Sequence, residues 1–595
     1  MADGRSEAFD QRWGTYHAEE WADAIVASMK LGGIDNLYFV SGSETAFYQE
    51  SIAKAHERGW PAPRLVTVLH EGVALNAALG NAMVTGQPAA TSVHVDVGTF
   101  NYGGGIHNAW RGSYPVLMTA GNGPRAYPGS MPGARNSAVQ WIQEPRDQGE
   151  IVRQYTKMDH RMEHEDNPGY MISRLLQVAM SEPRGPVYLT VPRESAMIPI
   201  PGTTRFPTRD ELGIARPAWP DPSDARKVAE WLIKADNPLV ITSNSGRNPE
   251  SVQELVRLAE LLGLPVQEVG RSADQMNFPT THPLYRTGPN PQDADMILIF
   301  ESPVPYMPPA GNPRPGTKVV WVDVDPVMSR YKTLDTQADL WLPVTAAAAA
   351  RAIYEAATGM LTQSDMTRIS DRRARMEEKK REINATIERQ AQEAGKRKPL
   401  HPRWVAYQMG KILEPDSILL DDSLSNSRNV QTYHHRDKPG TYFKSGGSSG
   451  GWGSGAALGA KFGKPESDVV LATGDGYLMF GSPISAYWCG AHYKVPFLTV
   501  VFVNRSYSTG TSNVSHTYPD GVVVKSGNFE GGVFDPPPDF AKLAEAANCY
   551  GETVREPEEV APALQRGLKQ VHNGTPALVA MMLPTPMEES KLAKK

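Results

Sequence analysis

Short apolar runs rich in Val, Ile and Leu alternate along the chain with longer stretches of helical periodicity. That alternation predicts α/β architecture with mostly parallel, doubly wound sheets. The first part of the chain carries strands at Leu37 to Val40, Leu65 to His70 and Ala89 to Val95, with a small-residue helix from Glu71 to Val84 between the last two. The second carries Pro238 to Thr242, a helix over Ser251 to Leu262, and strands at Asp295 to Phe300 and Lys318 to Val324. The third carries Asp468 to Thr473, a helix over Pro483 to His492, and a strand at Phe497 to Val503. Each set reads as βαβ units.

Two stretches break the alternation. From Pro199 to Pro222 there are six prolines, which predicts an extended linker rather than an element. From Gln363 to Lys398 runs a charged helix that Pro399 ends; its basic stretch Arg372 to Lys380, which includes Glu377 and Glu378, reads as a solvated face. A chain of 595 residues is too long for one core. Cutting at these stretches gives three domains, over 1–200, 220–362 and 399–590, each of ordinary size.

Composition narrows the function. Net charge is −6 with acids and bases interspersed, so neither a nucleic acid nor an anionic membrane is an expected partner. Two cysteines, Cys489 and Cys549, exclude a disulfide scaffold and a Cys-rich metal site. No stretch has the length of a membrane span, and the polar start Met-Ala-Asp-Gly-Arg-Ser-Glu lacks a signal-peptide core, so a cytoplasmic location is expected.

The sharpest local signal is Gly474-Asp475-Gly476 directly after a strand. In open parallel sheets ligands bind beyond the carboxyl ends of strands, and glycine on both sides lets the backbone approach a ligand closely. The next strand ends at Asn504. Its side-chain oxygen and the carbonyl of Ser506 can join the Asp475 carboxylate. One carboxylate with neutral oxygens, completed by phosphate oxygens and water, suits Mg²⁺. The blander reading is a Gly-Asp-Gly turn followed by a capping Asn.

This motif and spacing resemble the thiamine diphosphate motif of the acetolactate synthase, pyruvate decarboxylase and benzoylformate decarboxylase superfamily. The resemblance extends to Gly447-Ser-Ser-Gly-Gly-Trp-Gly-Ser-Gly-Ala-Ala-Leu-Gly459 and Gly185-Pro-Val-Tyr-Leu-Thr-Val-Pro192. His107-Asn-Ala-Trp110 with Pro115-Val-Leu-Met-Thr-Ala-Gly121 is most similar to benzoylformate decarboxylase. It implies a pyrimidine-binding, a central and a diphosphate-binding domain. It also implies cofactor contacts from Ser425, Gly450, Gly474, Asp475, Gly476, Tyr477, Asn504 and Ser506, the metal falling to Asp475, Asn504 and Ser506.

His70-Glu71-Gly72 matches the superfamily's glutamate motif, so Glu71 is expected to bond the aminopyrimidine of the cofactor. A carboxyl in that role needs a dry site; without the resemblance, a first-turn Glu complements a helix dipole. His94 matches a pocket histidine that relays protons, a role suited to a group titrating near neutrality. Ser43, in Ser41-Gly-Ser-Glu44, matches a pocket serine that binds the substrate carboxylate. Their bland readings are a core histidine and a turn residue. The resemblance further implies a homodimer or homotetramer with sites shared between subunits.

Two positions depart from the pattern. Met307, after Tyr306, stands where the decarboxylase has a second pocket histidine. Gly450 stands where a Leu, Met or Ile usually bends the cofactor. His434 and His435 read as surface or rim residues. His160-Arg-Met-Glu-His164 fits an inverted zinc motif, but Asn167-Pro168-Gly169 breaks any helix there, and Gly103-Gly104-Gly105 lacks the Lys-Ser/Thr of a phosphate loop. Ser243-Asn-Ser-Gly246 has no G-x-G-x-x-G fingerprint, so bound FAD is not expected. The expected activity is thiamine diphosphate- and Mg²⁺-dependent, non-oxidative cleavage beside a carbonyl, as in decarboxylation of a 2-oxo acid. The alternatives are an acetolactate synthase-type carboligase and a catalytically silent cofactor-binding subunit.

Overall fold

The computed structural model of the chain describes residues 13–164, 166–207, 213–269, 274–334 and 337–592. Three parallel sheets organise it. The N-terminal sheet has the spatial order Arg64–Thr67, Asn36–Phe39, Ala89–Val93, Val116–Asn122, Val187–Pro192, Asp159–Arg161. The central sheet runs Val266–Glu268, Pro238–Thr242, Met296–Phe300, Lys318–Asp323, Leu340–Pro343. The C-terminal sheet runs Tyr442–Phe443, Ile418–Asp422, Val469–Gly474, Leu498–Val503, Ala577–Met582, Tyr550–Val554. The inner strands are almost wholly buried, as sheets covered by helices on both faces require, whereas edge strands such as Arg64–Thr67, Asp159–Arg161, Leu340–Pro343 and Tyr550–Val554 are partly exposed.

One topology is used three times. In each sheet the first strand of the βαβ set lies second from one edge, with the second strand at that edge on one side of it and the third, among the sheet's inner strands, on the other. That reversal leaves a crevice beyond the carboxyl ends of the first and third strands, the usual ligand site of open α/β sheets. In the N-terminal sheet the crevice lies between the segments after Phe39 and Val93. In the C-terminal sheet it lies between those after Asp422 and Gly474.

The N- and C-terminal domains share a core through one pair of helices, Glu71–Thr85 and Gly453–Gly463. Their small residues allow backbone-to-backbone approach. A Cβ on Gly80 would fall 2.1 Å from the Ala456 carbonyl oxygen, and one on Gly459 would fall 1.8 Å from that of Ala77. The central and C-terminal domains are joined by a buried ion pair, Arg436 to Glu268 at 3.0 Å, with Tyr285 Oη donating to the same carboxylate.

Three expectations are revised. Thr203–Pro207 inside the Pro-rich stretch is a strand, antiparallel to Trp13–His17; prolines bound it instead of preventing it. The charged helix spans Gln363–Gly395, started by a Thr362–Asp365 capping box. Its Arg372 and Lys380 are buried rather than solvated: Arg372 donates to the carbonyls of Ala235 and Leu262, and Lys380 to that of Thr280. His434 is buried beside Arg436, and burial pushes it down to about 4, whereas His435 is exposed.

Candidate active site

Asp475 opens a short helix, Asp475–Phe480, at the end of the strand Val469–Gly474. Its side chain is buried, and desolvation raises its carboxyl to about 6. Oδ1 accepts from the Gly476 amide at 2.8 Å and Oδ2 from the Arg505 amide at 2.6 Å. That second bond crosses between neighbouring strands and fixes Asn504-Arg505-Ser506 beside Asp475. Arg505 takes a positive φ of 58°, and Asn504 Oδ1 accepts from the Ser506 amide at 3.0 Å. The turn is held from outside by amide bonds from Tyr507 to Gly532 and from Phe534 to Arg505.

The donor set suits a divalent cation bridged to a diphosphate. It is all oxygen, it contains one carboxylate, and no ion pair among the described residues neutralises that carboxylate. Three acidic or histidine ligands do not converge anywhere among the described residues, so a metal here needs oxygens from a ligand to fill its shell. Space for the ligand exists on the crevice side, where a Cβ on Gly474 would meet nothing closer than 4.0 Å. Across that crevice the Leu424–Asn426 turn leaves Ser425 exposed.

Gly476 and Gly450 are small for the same reason, a tyrosine ring packed against each. A Cβ on Gly476 would come within 2.8 Å of the Tyr507 ring, and one on Gly450 within 2.4 Å of the Tyr477 ring. A bulky side chain therefore has no room at 450, and the Tyr477 ring fills that space. Asp422, which sequence reasoning passed over, fixes this loop: its buried Oδ2 accepts from the amides of Gly451 and Gly453.

Beyond the edge strand Arg64–Thr67 of the N-terminal sheet, Glu71 is the first residue of its helix, with His70 as the cap whose Nδ1 accepts from the Gly72 amide. Glu71 is half-buried and takes a bond from Asn101 Nδ2 at 3.2 Å. No hydrogen bond or ion pair among the described residues joins Glu71 to the Asp475 group.

Ser43 and His94 both approach Glu44, Ser43 through a hydrogen bond and His94 without one. Ser43 Oγ donates to Glu44 Oε2 at 2.6 Å, and His94 Nδ1 lies 3.3 Å from the same oxygen. Gln140 Nε2 donates to Glu44 Oε1 at 2.9 Å, and Gln143 Nε2 lies 3.3 Å from His94 Nε2. Glu44 stood in the Ser41-Gly-Ser-Glu44 turn and carried no periodic signal. Gln140 and Gln143 lie some hundred positions away, so only the fold brings them near. Ser43 has one O–H and uses it on Glu44. As placed, it faces the crevice only as an acceptor.

The other singled-out residues fall elsewhere. Tyr306 is buried, but Met307 is 71% exposed. His160 sits on a strand and bonds Asp166, not on a helix beside His164. A Cβ on Gly104 would overlap Ser449 of the C-terminal domain, so Gly103–Gly105 forms a domain contact. In the central sheet's crevice, Arg247 faces Glu301 at 3.4 Å, and burial pushes Glu301 up to about 7.

Residues 19–151 match the N-terminal TPP binding domain of the thiamine pyrophosphate enzymes, and residues 425–581 match their C-terminal TPP binding domain. The chain belongs to this superfamily of thiamine diphosphate-dependent enzymes. Among curated relatives, a benzoylformate decarboxylase of Pseudomonas aeruginosa is 27% identical over 75% of this chain and 79% of its own length. A sulfoacetaldehyde acetyltransferase of Castellaniella defragrans is 25% identical over 95% and 93%. An acetolactate synthase large subunit of Mycobacterium tuberculosis is 25% identical over 94% of each chain. In fold, the chain is similar to a thiamine diphosphate-dependent 4-hydroxybenzoylformate decarboxylase of Rhodococcus jostii, with a TM-score of 0.74 at 21% identity over 95% and 99% of the two chains.

Proposed function

We propose that the protein is a Mg²⁺-dependent lyase that cleaves the bond between the carbonyl carbon and the carboxylate of a 2-oxo acid, releasing CO₂ and an aldehyde. The observation that carries this reading is the buried, cation-free Asp475 carboxylate set beside Asn504 and Ser506 at the mouth of an open crevice. Asp475, Asn504 Oδ1 and the Ser506 carbonyl would hold the metal. Ser425, Gly450, Gly474, Gly476 and Tyr477 would line the diphosphate. When bound, thiamine diphosphate supplies an electron sink next to the substrate carbonyl. Glu71 would share a proton with the cofactor's pyrimidine nitrogen. His94, at the neighbouring crevice of the same sheet, would hold and return a proton to the substrate-derived carbon.

Glu71 is only half-buried in one chain, and a carboxyl that shares a proton with a ring nitrogen needs a dry site. Exposed apolar side chains rim both halves: Leu69, Val97 and Phe100 near Glu71, and Met479, Phe480 and Tyr507 near Asp475. These rims fit a homo-oligomer whose sites are completed by a second subunit.

Two observations favour carboligation instead. Ser43 spends its O–H on Glu44, so it offers a substrate carboxylate no donor, and the acetyltransferase and acetolactate synthase relatives span nearly the whole chain. The deciding assay is a panel of aliphatic and aromatic 2-oxo acids, with thiamine diphosphate and Mg²⁺, read as CO₂ release and as product. Free aldehyde as the main product supports the lyase. An acyloin or a 2-hydroxy-3-oxo acid with little free aldehyde defeats it.

A further inference from the structure

We propose that Asp421 is a positioning residue for the cofactor site, holding the turn over residues 423–427 in the shape that leaves Ser425 across the crevice from Asp475. This rests on the reading of Ser425 as a diphosphate contact. Asp421 and Asp422 end the strand Ile418–Asp422, one of the two strands whose carboxyl ends bound that crevice. Adjacent strand residues point to opposite faces, so the two carboxylates reach different loops. Asp422 takes the amides of Gly451 and Gly453. Asp421 takes the turn.

The turn needs an outside hold. Leu424 has a φ of 39°, in the left-handed region that a residue with a Cβ avoids. Such a conformation persists where the surrounding bonds fix it. The amides of Asn426 and Ser427 close the turn on the carbonyls of Ser423 and Leu424. Asp421 then ties both of its ends. Its Oδ1 accepts the Ser423 amide at 3.0 Å, the Ser423 hydroxyl at 2.6 Å and the Ser427 hydroxyl at 3.1 Å.

The carboxylate is itself fixed. Asp421 is 1% exposed, and its Oδ2 accepts from Tyr442 Oη at 2.8 Å. Tyr442 is buried, Gln431 Nε2 donates to its oxygen at 3.0 Å, and the Arg436 guanidinium lies 4.5 Å over its ring. An ionised carboxylate only accepts, so it suits a place where every neighbour is a donor. A hydroxyl has one hydrogen, and Ser423 and Ser427 both spend theirs on Asp421. These two serines are buried and turned inward, which leaves Ser425 as the exposed serine of the turn. Asp421 touches neither substrate nor cofactor in this scheme and acts through the turn.

The test uses the full chain stripped of metal and cofactor. Hydrogen exchange is read on that protein, and thiamine diphosphate affinity is read by calorimetry with Mg²⁺ added. Asp421→Ala should speed exchange of the amides at 423–427 about tenfold or more, with the strand Val469–Gly474 as protected as before. It should also weaken thiamine diphosphate about tenfold. Asp421→Asn keeps a carbonyl oxygen for the serines and can turn its NH₂ to the Tyr442 oxygen, so it should stay within about threefold of wild type. Ser425→Ala should weaken binding about tenfold in the wild type but less than about twofold in Asp421→Ala, because a turn that has lost its shape has no serine contact left to lose. Turn amides that exchange alike in Asp421→Ala and wild type overturn the proposal, and so does wild-type affinity in that variant. Additive losses from Asp421→Ala and Ser425→Ala overturn it as well, since Asp421 would then support the fold and not this contact. If Asp421→Ala does not fold, Ser427→Ala, which cuts one tether, takes its place, with faster turn exchange and about threefold weaker binding expected; unchanged exchange there overturns the proposal. If Ser425→Ala alone binds as tightly as wild type, the reading of Ser425 fails, and exchange and affinity in Asp421→Ala still decide whether Asp421 holds the turn for the cofactor.

Discussion

Asp475 is buried, accepts two backbone amides and has no cationic side chain against it. Burial raises its carboxyl to about 6. The metal-free fold thus binds a proton there between about pH 4 and 6 that the unfolded chain does not, and this contribution to stability is lost as pH rises through 6. A metal must displace that proton. Mg²⁺ affinity should be near its plateau above pH 7 and fall about tenfold by pH 5, checked by calorimetric titration across that range. Affinity that stays flat would mean that the free Asp475 carboxyl takes up no proton in that range. This residue was legible because Gly-Asp-Gly after an apolar strand is a local pattern. Glu44 was not, because its meaning comes from Gln140 and His94, which only the crossover topology sets beside it.

At the scale of elements, the helices Glu71–Thr85 and Gly453–Gly463 set how the glutamate end of one domain sits on the glycine-rich loop of another. The first was readable as a small-residue helix and the second only as a glycine-rich segment, and neither named the other as its partner, since small residues name no particular surface. Gly459→Ala places a methyl 1.8 Å from a backbone oxygen. It should cost about 1–3 kcal/mol and lower the denaturation midpoint, with cofactor affinity falling in parallel. An unchanged midpoint would show that the two helices separate at little cost. The long charged helix teaches the complementary point. Its composition predicted its length and its end, yet Arg372 and Lys380 look like any surface cation until their carbonyl partners are seen.

The three sheets arrange their first three strands alike, and eight of their seventeen strands were readable from apolar runs. The order of strands within each sheet was not, because parallel neighbours leave no local signal. If active sites are completed between subunits, Glu71→Gln and Asp475→Ala chains, each inactive alone, should recover about a quarter of wild-type activity when mixed and reassembled. Half of the dimers then pair unlike chains, and each holds one intact site. No recovery would place each site within one chain. The central claim, a metal-bridged diphosphate anchor on Asp475, is tested most directly by titrating the metal-free protein with thiamine diphosphate in a calorimeter, with and without Mg²⁺. Saturable binding that requires Mg²⁺ and weakens at least 100-fold in a folded Asp475→Ala variant is the predicted result. Binding that ignores the metal, or that survives this substitution, would contradict it.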